Sequence, residues 1–318
     1  MLSQRLCRAV PFIVAYRLSR FFLAREAPAS RKEFVAPNVT GSLYGYYTGD
    51  LLGDSVRMCG FWDWRVLAVA KAVAGQGTHI IEIGANTGTE TLGLADIVGS
   101  TGRVTAFEPD SANIEALQAN LSRNRIFHVR VLPDAVSDRI GKVSFLRSPV
   151  AGNSGMGHID ADAALDGVGV EVNTVTLDSL EPELGAAALI TIDVEGAELA
   201  VLRGAEHFLR RHRPVLYVEA NGDALTRSGS DLGELATRLR NLGYEPYEIH
   251  RVSTRPVRPV PLDEQAAYIM NWLAIPIERP GLRARVHRLL PLAAFAPRIA
   301  HLHPLCRGRQ PTTQPSRT

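Results

Sequence analysis

The sequence predicts a doubly wound α/β domain, in which helices cover both faces of a mostly parallel β-sheet. Short apolar runs typical of buried strands alternate with segments of helical periodicity through the middle of the chain. Strands that are buried on both faces of a parallel sheet need such continuous apolar runs. The chain has 318 residues, of which 46% are hydrophobic and 21% are charged, and these values are ordinary for a globular protein with a packed core.

Six apolar runs and three periodic segments carry this prediction. Residues 140–180 break the alternation with Gly- and Asp-rich loops, and we interpret them as an insertion with extra strands near the ligand-binding edge. In such sheets ligands bind beyond the carboxyl ends of the strands, where the strand order reverses, so the chemistry is expected directly after the predicted strands. The predicted strands are 79–83, 103–107, 129–132, 189–192, 215–218 and 268–275, and the predicted helices are 88–98, 111–124 (N-cap Asp110) and 233–241 (followed by Gly243).

Charge divides the chain into three regions. Residues 1–32 contain seven Lys or Arg and one acid, residues 279–318 contain eight Arg and no acid, and the residues between them carry a net charge of −12. A nucleic-acid enzyme usually has its basic surface around the catalytic centre, so we expect no nucleic-acid partner. The predicted organisation is a basic, helical N-terminal extension (1–40), one catalytic domain (41–275) and an Arg- and Pro-rich C-terminal extension with a disordered end (276–318).

The N-terminal extension has an amphipathic pattern. Its longest apolar run, residues 9–16, is far shorter than the roughly 20 residues that span a bilayer. It predicts either a helix that lies on a membrane surface or a helix that packs on the domain or on a second copy of the chain; an organelle transit peptide is a third interpretation. The residues at near-helical spacing are Leu6, Val10, Ile13, Val14, Arg17 and Phe21.

The cysteines indicate the compartment. Cys7, Cys59 and Cys306 are few, odd in number and far apart, so neither a disulfide framework nor a zinc site can be read from them. We therefore expect a reducing compartment and a cytoplasmic protein, with peripheral membrane contact or homo-oligomer contact through the basic termini.

The first motif, Glu82-Ile-Gly84-Ala-Asn86-Thr-Gly88, lies between a predicted strand and a predicted helix. It does not have the Gly-x-Gly-x-x-Gly spacing of a dinucleotide site, because Asn86 replaces the second glycine and Gly88 comes too early. Glycines here permit a sharp turn and close approach of the backbone to a ligand. The acid would repel a pyrophosphate but would favour a cationic amino group, and S-adenosylmethionine has both an ammonium and a sulfonium charge.

Two further strand ends carry candidate cofactor contacts. Glu108, followed by Pro109, ends the second predicted strand 20 residues after Gly88, where a carboxylate can accept hydrogen bonds from ribose hydroxyls. Asp134 and Ala135 follow the third predicted strand, and an acid there can accept a hydrogen bond from the exocyclic amine of adenine. Each acid is also compatible with an ordinary turn or strand end.

Acids cluster after the fourth and fifth predicted strands. Asp193 and Glu195 follow one strand, Glu219 ends the next, and Glu198 is expected to be a solvated acid in the first turn of a helix. Paired carboxylates at neighbouring strand ends raise one another's pKa, which suits a general base, and they also suit a divalent metal, so metal use stays open.

A glycine-rich segment supplies an alternative base. We interpret residues 152–158 as either a flexible substrate loop or a simple surface loop, and His158 within it is a second candidate for the base.

These motifs together resemble the FkbM-type methyltransferases over roughly residues 41–275. The resemblance rests on 81–88, on 107–109 with Asn113, Leu117 and Asn120, on 134–138, on 176–180, on 192–198 and on the lead-in segment 60–63. Two positions depart from the family: Glu82 stands where Asp is common, and Thr191 stands where Lys is common.

The resemblance implies a seven-stranded sheet of the class I methyltransferase type and methyl transfer from S-adenosylmethionine to an oxygen. Similar proteins methylate sugar hydroxyls on glycans, glycolipids and secondary metabolites. The first motif would line the methionine part of the cofactor, Glu108 the ribose and Asp134 the adenine, with Asp193 and then Glu219 as candidate catalytic groups. A nicotinamide-dependent oxidoreductase and a cofactor-binding but inactive partner protein remain as alternatives.

Overall fold

A large sheet with helices on both faces forms the centre of the protein. In the computed structural model, residues 2–26, 32–148, 153–159, 169–250, 257–260 and 269–295 are described. The helices are α1 (Leu2–Ala9), α2 (Phe12–Leu23), α3 (Leu51–Cys59), α4 (Trp64–Val73), α5 (Thr91–Val98), α6 (Ser111–Arg123), α7 (Leu177–Leu184), α8 (Glu198–Arg203), α9 (Glu206–His212), α10 (Gly222–Arg227), α11 (Leu232–Asn241) and α12 (Gly281–Phe295). The strands are β1 (Glu33–Pro37), β2 (Leu43–Tyr47), β3 (His79–Ile83), β4 (Arg103–Phe107), β5 (Val129–Leu132), β6 (Ala135–Val136), β7 (Gly141–Leu146), β8 (His158–Ile159), β9 (Val170–Val175), β10 (Leu189–Ile192), β11 (Val215–Asn221), β12 (Tyr244–Ile249), β13 (Arg258–Pro259) and β14 (Ile269–Pro276).

The central sheet has the strand order β13-β12-β14-β11-β10-β3-β4-β5. The five strands from β11 to β5 are parallel, and β14 runs antiparallel to both of its neighbours. This confirms the doubly wound, mostly parallel sheet of the class I methyltransferase type. The expected count of seven is wrong by one, because the two residues of β13 add a short edge strand beside β12.

Side chains alternate between two apolar cores, one on each face of the sheet. On β3, Ile80 belongs to the core beneath α4, α5 and α12, while Ile81 belongs to the core beneath α8, α9 and α11. Leu189 and Ile190 divide in the same way on β10. This period of two is what a strand imposes when helices cover both of its faces.

The basic extensions pack on the first of these cores. Helices α1 and α2 bury Cys7, Phe12 and Ala15, and α12 buries Val286 and Leu290 in the same cluster. The residues of the predicted amphipathic pattern divide between core and surface: Val10 and Ile13 pack against this core, whereas Leu6, Val14, Arg17 and Phe21 are exposed. Pro11 separates the two helices, so the six residues do not form one continuous helical face. The domain boundaries at 40 and 275 stay a prediction, and the end of the chain after residue 295 lies outside the described residues.

A second, four-stranded sheet stands over the carboxyl edge of the central one. It has the order β6-β9-β7-β8 and confirms the extra strands expected within residues 140–180. Residues 149–152 and 160–168 of that insertion lie outside the described part. Among the described residues, every helix is too short or too polar to traverse a lipid bilayer.

Candidate active site

An open cleft with about 980 Å³ of empty space lies beyond the carboxyl ends of β3, β4, β10 and β11. Glu82 and Gly88 lie behind its wall, buried in the protein. The other eight predicted site residues line it, and they are Gly84, Asn86, Glu108, Pro109, Asp134, Ala135, Asp193 and Glu219.

Gly84 marks the point where the strand order reverses between β3 and β10. It has φ +91°, and a Cβ atom built on it would lie 1.8 Å from the carbonyl oxygen of Asp193. The backbone N–H of Asp193 donates to Ile83 O at 3.0 Å, which holds the two strand ends together. We expected glycine here for the approach of a ligand; the structure shows that the approach of the protein's own backbone already requires it.

The rest of the glycine turn is fixed by neighbours on two sides. Gly88 has φ +89°, and a Cβ atom there would lie 2.6 Å from Cδ1 of Leu117 on α6. Asn86 adopts φ +49°, donates its backbone N–H to Glu108 Oε2 at 2.8 Å and donates its side-chain amide to Ser154 O at 2.9 Å. The turn therefore joins β3, β4 and the inserted segment at one place.

Glu108 is pre-positioned by three donors. Its Oε1 accepts from the backbone N–H of Asp110 at 2.9 Å and from the amide of Asn113 at 3.3 Å, and its Oε2 accepts from Asn86. A carboxylate offers about four acceptor sites, so about one remains for a ligand, and a second becomes free if Asn113 rotates away. Burial raises the pKa of Glu108 to about 7, although these hydrogen bonds oppose the shift.

Glu82 lies in a row of side chains across the sheet. It is paired in register with Thr191 on β10, which is paired with Tyr217 on β11. Within the described part of the chain, Glu82 Oε2 and Thr191 Oγ1 are buried without a hydrogen-bond partner. Burial raises the pKa of Glu82 well above its usual range.

Asp193, Glu195 and Glu219 form a cluster on the opposite side of the glycine turn from Glu108. One oxygen of each lies within 4.8 Å of the others, a spacing that a divalent cation can bridge. Burial raises the pKa of Asp193 to about 6 and that of Glu219 further, because Glu219 also faces Asp193, Glu195 and Glu198. The pKa of Glu219 thus lies above that of Asp193, so Asp193 is the stronger acid of the two and loses its proton first as the pH rises.

Glu198 corrects an expectation. Its side chain is 0% exposed rather than solvated, and it accepts from the backbone N–H groups of Val194 at 3.3 Å and Gly196 at 3.2 Å. Both donors belong to the turn that contains Gly196, at φ +114°, and the Glu198 side chain folds back over this turn. Glu198 thus orders the loop that carries Asp193 and Glu195.

The inserted segment closes one wall of the cleft. Gly152 lies outside the described residues; Ser154–Met156 form a single 3₁₀ turn, and Ser154 N donates to Asp50 Oδ2 at 2.9 Å. The loop is tied to Asp50 and, through Asn86, to the glycine turn. His158 lines the cleft and is 8% exposed.

Sequence reasoning missed two acids near the site. Glu90 lines the cleft, and burial raises its pKa to about 7. Asp63 lies behind it, accepts hydrogen bonds from Arg65, Tyr217 and Asn271, and has its pKa lowered by Arg65. The position of Glu90, two residues after the last glycine of the turn and before a helix, was the signal that pointed to it.

The comparisons agree with these motifs. The Methyltransferase FkbM domain matches residues 82–246, about half of the chain.

The chain belongs to the FkbM methyltransferase family.

Other similar proteins are more distant. A probable cobalt-precorrin-6B C(15)-methyltransferase (decarboxylating) of Sulfurisphaera tokodaii is 30% identical over 79 residues, which are 25% of this chain and 41% of that protein. The chain thus spans less than half the length of this relative. Methyltransferase FkbM from Methylobacillus flagellatus is 19% identical, with a TM-score of 0.42, over 62% of this chain and 43% of that one. A SAM-dependent O-methyltransferase from Thermotoga maritima is 13% identical, with a TM-score of 0.38, over 77% of each chain.

At position 191, next to Glu82, this chain differs from the residue that we expect in the family. A lysine at position 191 would stand next to the Glu82 carboxylate in the adjacent strand, and Thr191 brings no charge there. In this chain Glu82 Oε2 has no hydrogen-bond partner among the described residues.

The charges of the residues that line the cleft can be compared with the positive charge of S-adenosylmethionine. The described residues that line it include no lysine or arginine. A cationic ligand would lower the free energy of such a site, and would lower the raised pKa values of its carboxyls. The six lining carboxyl groups are Glu90, Glu108, Asp134, Asp193, Glu195 and Glu219.

Proposed function

We propose that this protein is an S-adenosylmethionine-dependent O-methyltransferase that methylates a sugar hydroxyl in a glycan, a glycolipid or a secondary metabolite. The observation that carries the proposal is the cleft at the strand-order reversal, with six carboxyl groups and no basic side chain except His158 among its described lining residues. Membership of the FkbM family supports the choice of a methyl donor that is itself a cation.

The cofactor and the acceptor would bind on opposite sides of the glycine turn. Gly84 and Asn86 lie where the amino-acid part of the cofactor would be held, Glu108 beside them would accept from the ribose, and Asp134 and Ala135 would flank the adenine. When bound, the cofactor supplies an electrophilic methyl carbon on a sulfonium, which is a good leaving group. The protein then has to align the acceptor oxygen with that carbon.

Asp193 is the group that would align and deprotonate the acceptor. A sugar hydroxyl is a weak nucleophile, and a positioned base contributes about 10²- to 10⁴-fold. With a pKa of about 6, Asp193 is ionised at neutral pH and is more basic than an ordinary aspartate. The pKa of Glu219 is raised well above its usual range by burial and by the charge of Asp193, so Asp193 is the member of the pair that ionises first.

The sugar assignment is supported by the acceptor side of the cleft. Trp62 lines it, half-buried, together with Leu52 and Phe145. An indole face packs against the C–H face of a sugar ring, while Asp193 and the amide of Asn153 are available to its hydroxyls.

The first experiment is a calorimetric titration with S-adenosylhomocysteine, run beside NAD. Micromolar binding of the first without the second supports the proposal, whereas binding of NAD alone would establish the oxidoreductase alternative. Transfer of a labelled methyl group to a panel of free sugars, glycosides and glycolipids then separates an enzyme from an inactive partner protein. Running the transfer with a chelator and with Mg²⁺ decides whether Asp193, Glu195 and Glu219 act alone or around a cation.

A further inference from the structure

Three helices from the two ends of the chain form one outer surface of the protein. Helix α2 contacts α1 and α12, and α12 also packs on α4. Their buried sides share one apolar core, so their outward sides are neighbours. We call this surface the terminal helix face, and its exposed residues are Leu2, Arg5, Leu6, Val14, Arg17, Arg20, Phe21, Arg285, Arg288, Leu292 and Phe295.

The terminal helix face exposes large apolar side chains that do not pack against the rest of the protein. Leu2 is 82% exposed and Leu292 is 60% exposed. On α2, Val14 and Phe21 lie seven residues apart, on one side of the helix, with Arg17 between them. Leu6, Val14, Arg17 and Phe21 of the predicted amphipathic pattern are therefore directed outward.

The same face is strongly basic. Residues 2–25 and 281–295 contain no Asp or Glu. Within the described ranges, no acid forms an ion pair with Arg5, Arg17 or Arg285. Positive charge is concentrated here, because the residues between the two basic ends of the chain carry a net charge of −12. Clusters of arginine next to exposed apolar residues favour a surface that is both anionic and partly apolar.

We propose that the terminal helix face docks on a lipid bilayer that contains anionic headgroups. Its arginines would contact headgroup phosphates, while Leu2, Phe21, Leu292 and Phe295 enter the boundary between the headgroups and the acyl chains. The interaction is peripheral, and it does not depend on the proposed methyl transfer.

The composition of the face decides between a membrane and other partners. A nucleic acid would use the arginines but would leave the leucines and phenylalanines exposed. A symmetric contact between two copies of the chain would place like charges against each other, since a two-fold interface joins the same patch from both subunits. A bilayer with anionic lipids is complementary to both components of the face.

The test is co-sedimentation of the full-length protein with vesicles of phosphatidylcholine, alone or mixed with phosphatidylglycerol. We expect binding only to the mixed vesicles, weakened by salt. Two double variants test the two components of the face separately. Arg17→Gln with Arg285→Gln removes charge, and Phe21→Ser with Leu292→Ser removes apolar contacts. Each should weaken binding at least about tenfold.

A matched control keeps the test specific. Arg139→Gln with Arg211→Gln removes the same charge from exposed arginines elsewhere, whose side chains are 79% and 61% exposed, and should change binding less than about twofold. All variants should keep the wild-type melting temperature and S-adenosylhomocysteine affinity, which separates this proposal from the catalytic one.

Three results would overturn the proposal. The first is no binding to the mixed vesicles, and the second is the same loss for the control pair as for the face variants. The third is a dimer in sedimentation equilibrium that the face variants dissociate, because the face would then belong to a second copy of the chain.

Discussion

The hydroxyl of Tyr217 donates a 2.7 Å hydrogen bond to Asp63 Oδ2 across 154 residues of sequence. This bond joins β11, which carries Glu219, to the N-cap residue of α4, on the wall of the cleft that carries Trp62. Asp63 also accepts from Arg65 and Asn271, so it stays partnered when one donor is removed.

Tyr217→Phe is therefore expected to lower the free energy of unfolding by only about 0.5–1.5 kcal/mol, the net contribution of one hydrogen bond. Urea denaturation measures the loss. Tyr247→Phe is the control, since the contact of the Tyr247 ring with Arg283 does not need the hydroxyl. A loss above about 3 kcal/mol would show that Asp63 depends on this donor.

Gly84→Ala is expected to destabilise the fold by more than about 3 kcal/mol, because φ is +91° and the new Cβ would lie 1.8 Å from the Asp193 carbonyl oxygen. Thermal unfolding and the yield of folded protein measure the effect. Gly75→Ala is the matched control, since a Cβ there has no atom within 4 Å. Equal stability of the two variants would contradict the close contact between β3 and β10.

Glu108→Ala should weaken binding of S-adenosylhomocysteine by about 10- to 100-fold, because a carboxylate that accepts from ribose contributes a charged hydrogen bond. Glu108→Gln keeps the shape and should give a smaller loss. Glu115→Ala removes an exposed acid from the same region and should bind as the wild type does. Calorimetry provides the dissociation constants, and an unchanged value for Glu108→Ala would remove the ribose assignment.

Asp193→Asn should lower turnover by about 100-fold or more while changing cofactor affinity far less. In the wild type, kcat/KM should rise with pH through about 6, since Asp193 must lose its proton to act as a base and its pKa is about 6. Asp223→Asn, an exposed acid nearby, is the control. Near-normal turnover of Asp193→Asn would refute the base role.

The ligand-free protein should lose stability as the pH rises from about 4.5 to 7. Burial raises the pKa values of Glu90, Glu108 and Glu198 to about 7 and that of Glu82 higher, so the folded state binds more protons than the unfolded state in this window. The contribution of Glu90, Glu108 and Glu198 is complete below about pH 4.5 and is lost as the pH rises through about 7, and that of Glu82 is lost at higher pH.

Melting temperatures between pH 5 and 8 measure this dependence. Glu82→Gln is neutral at every pH, so its profile should be flatter than that of the wild type. A wild-type melting temperature that rises across the window would show that these carboxyls are ionised in the folded protein.

The sequence predicted the core strands well and missed particular elements for local reasons. Strands β3 and β10 are short, mostly apolar runs that are fully buried, whereas β12 (Tyr244–Ile249) contains Pro246 and two glutamates and was not recognised. Asp110 caps α6 as predicted, through a hydrogen bond from the Ala112 N–H.

Burial of polar groups was harder to predict. Glu198 was expected in solvent because helix N-termini often carry solvated acids, and its complete burial depends on the loop that folds over it. The outward direction of Phe21 likewise depends on the break between α1 and α2 and on what α2 packs against.

By itself the sequence determined the sheet, the edge of the sheet at which the cleft lies, and the family. Strand periodicity, the glycine turn and the acids at strand ends are local features, and local features are encoded within a few residues. The tertiary structure alone decided which carboxyl groups share a cleft whose described lining has no lysine or arginine, which of Asp193 and Glu219 is the stronger acid, and that α2 and α12 lie side by side. These properties depend on desolvation and on contacts between residues far apart in the chain, and no local pattern contains them.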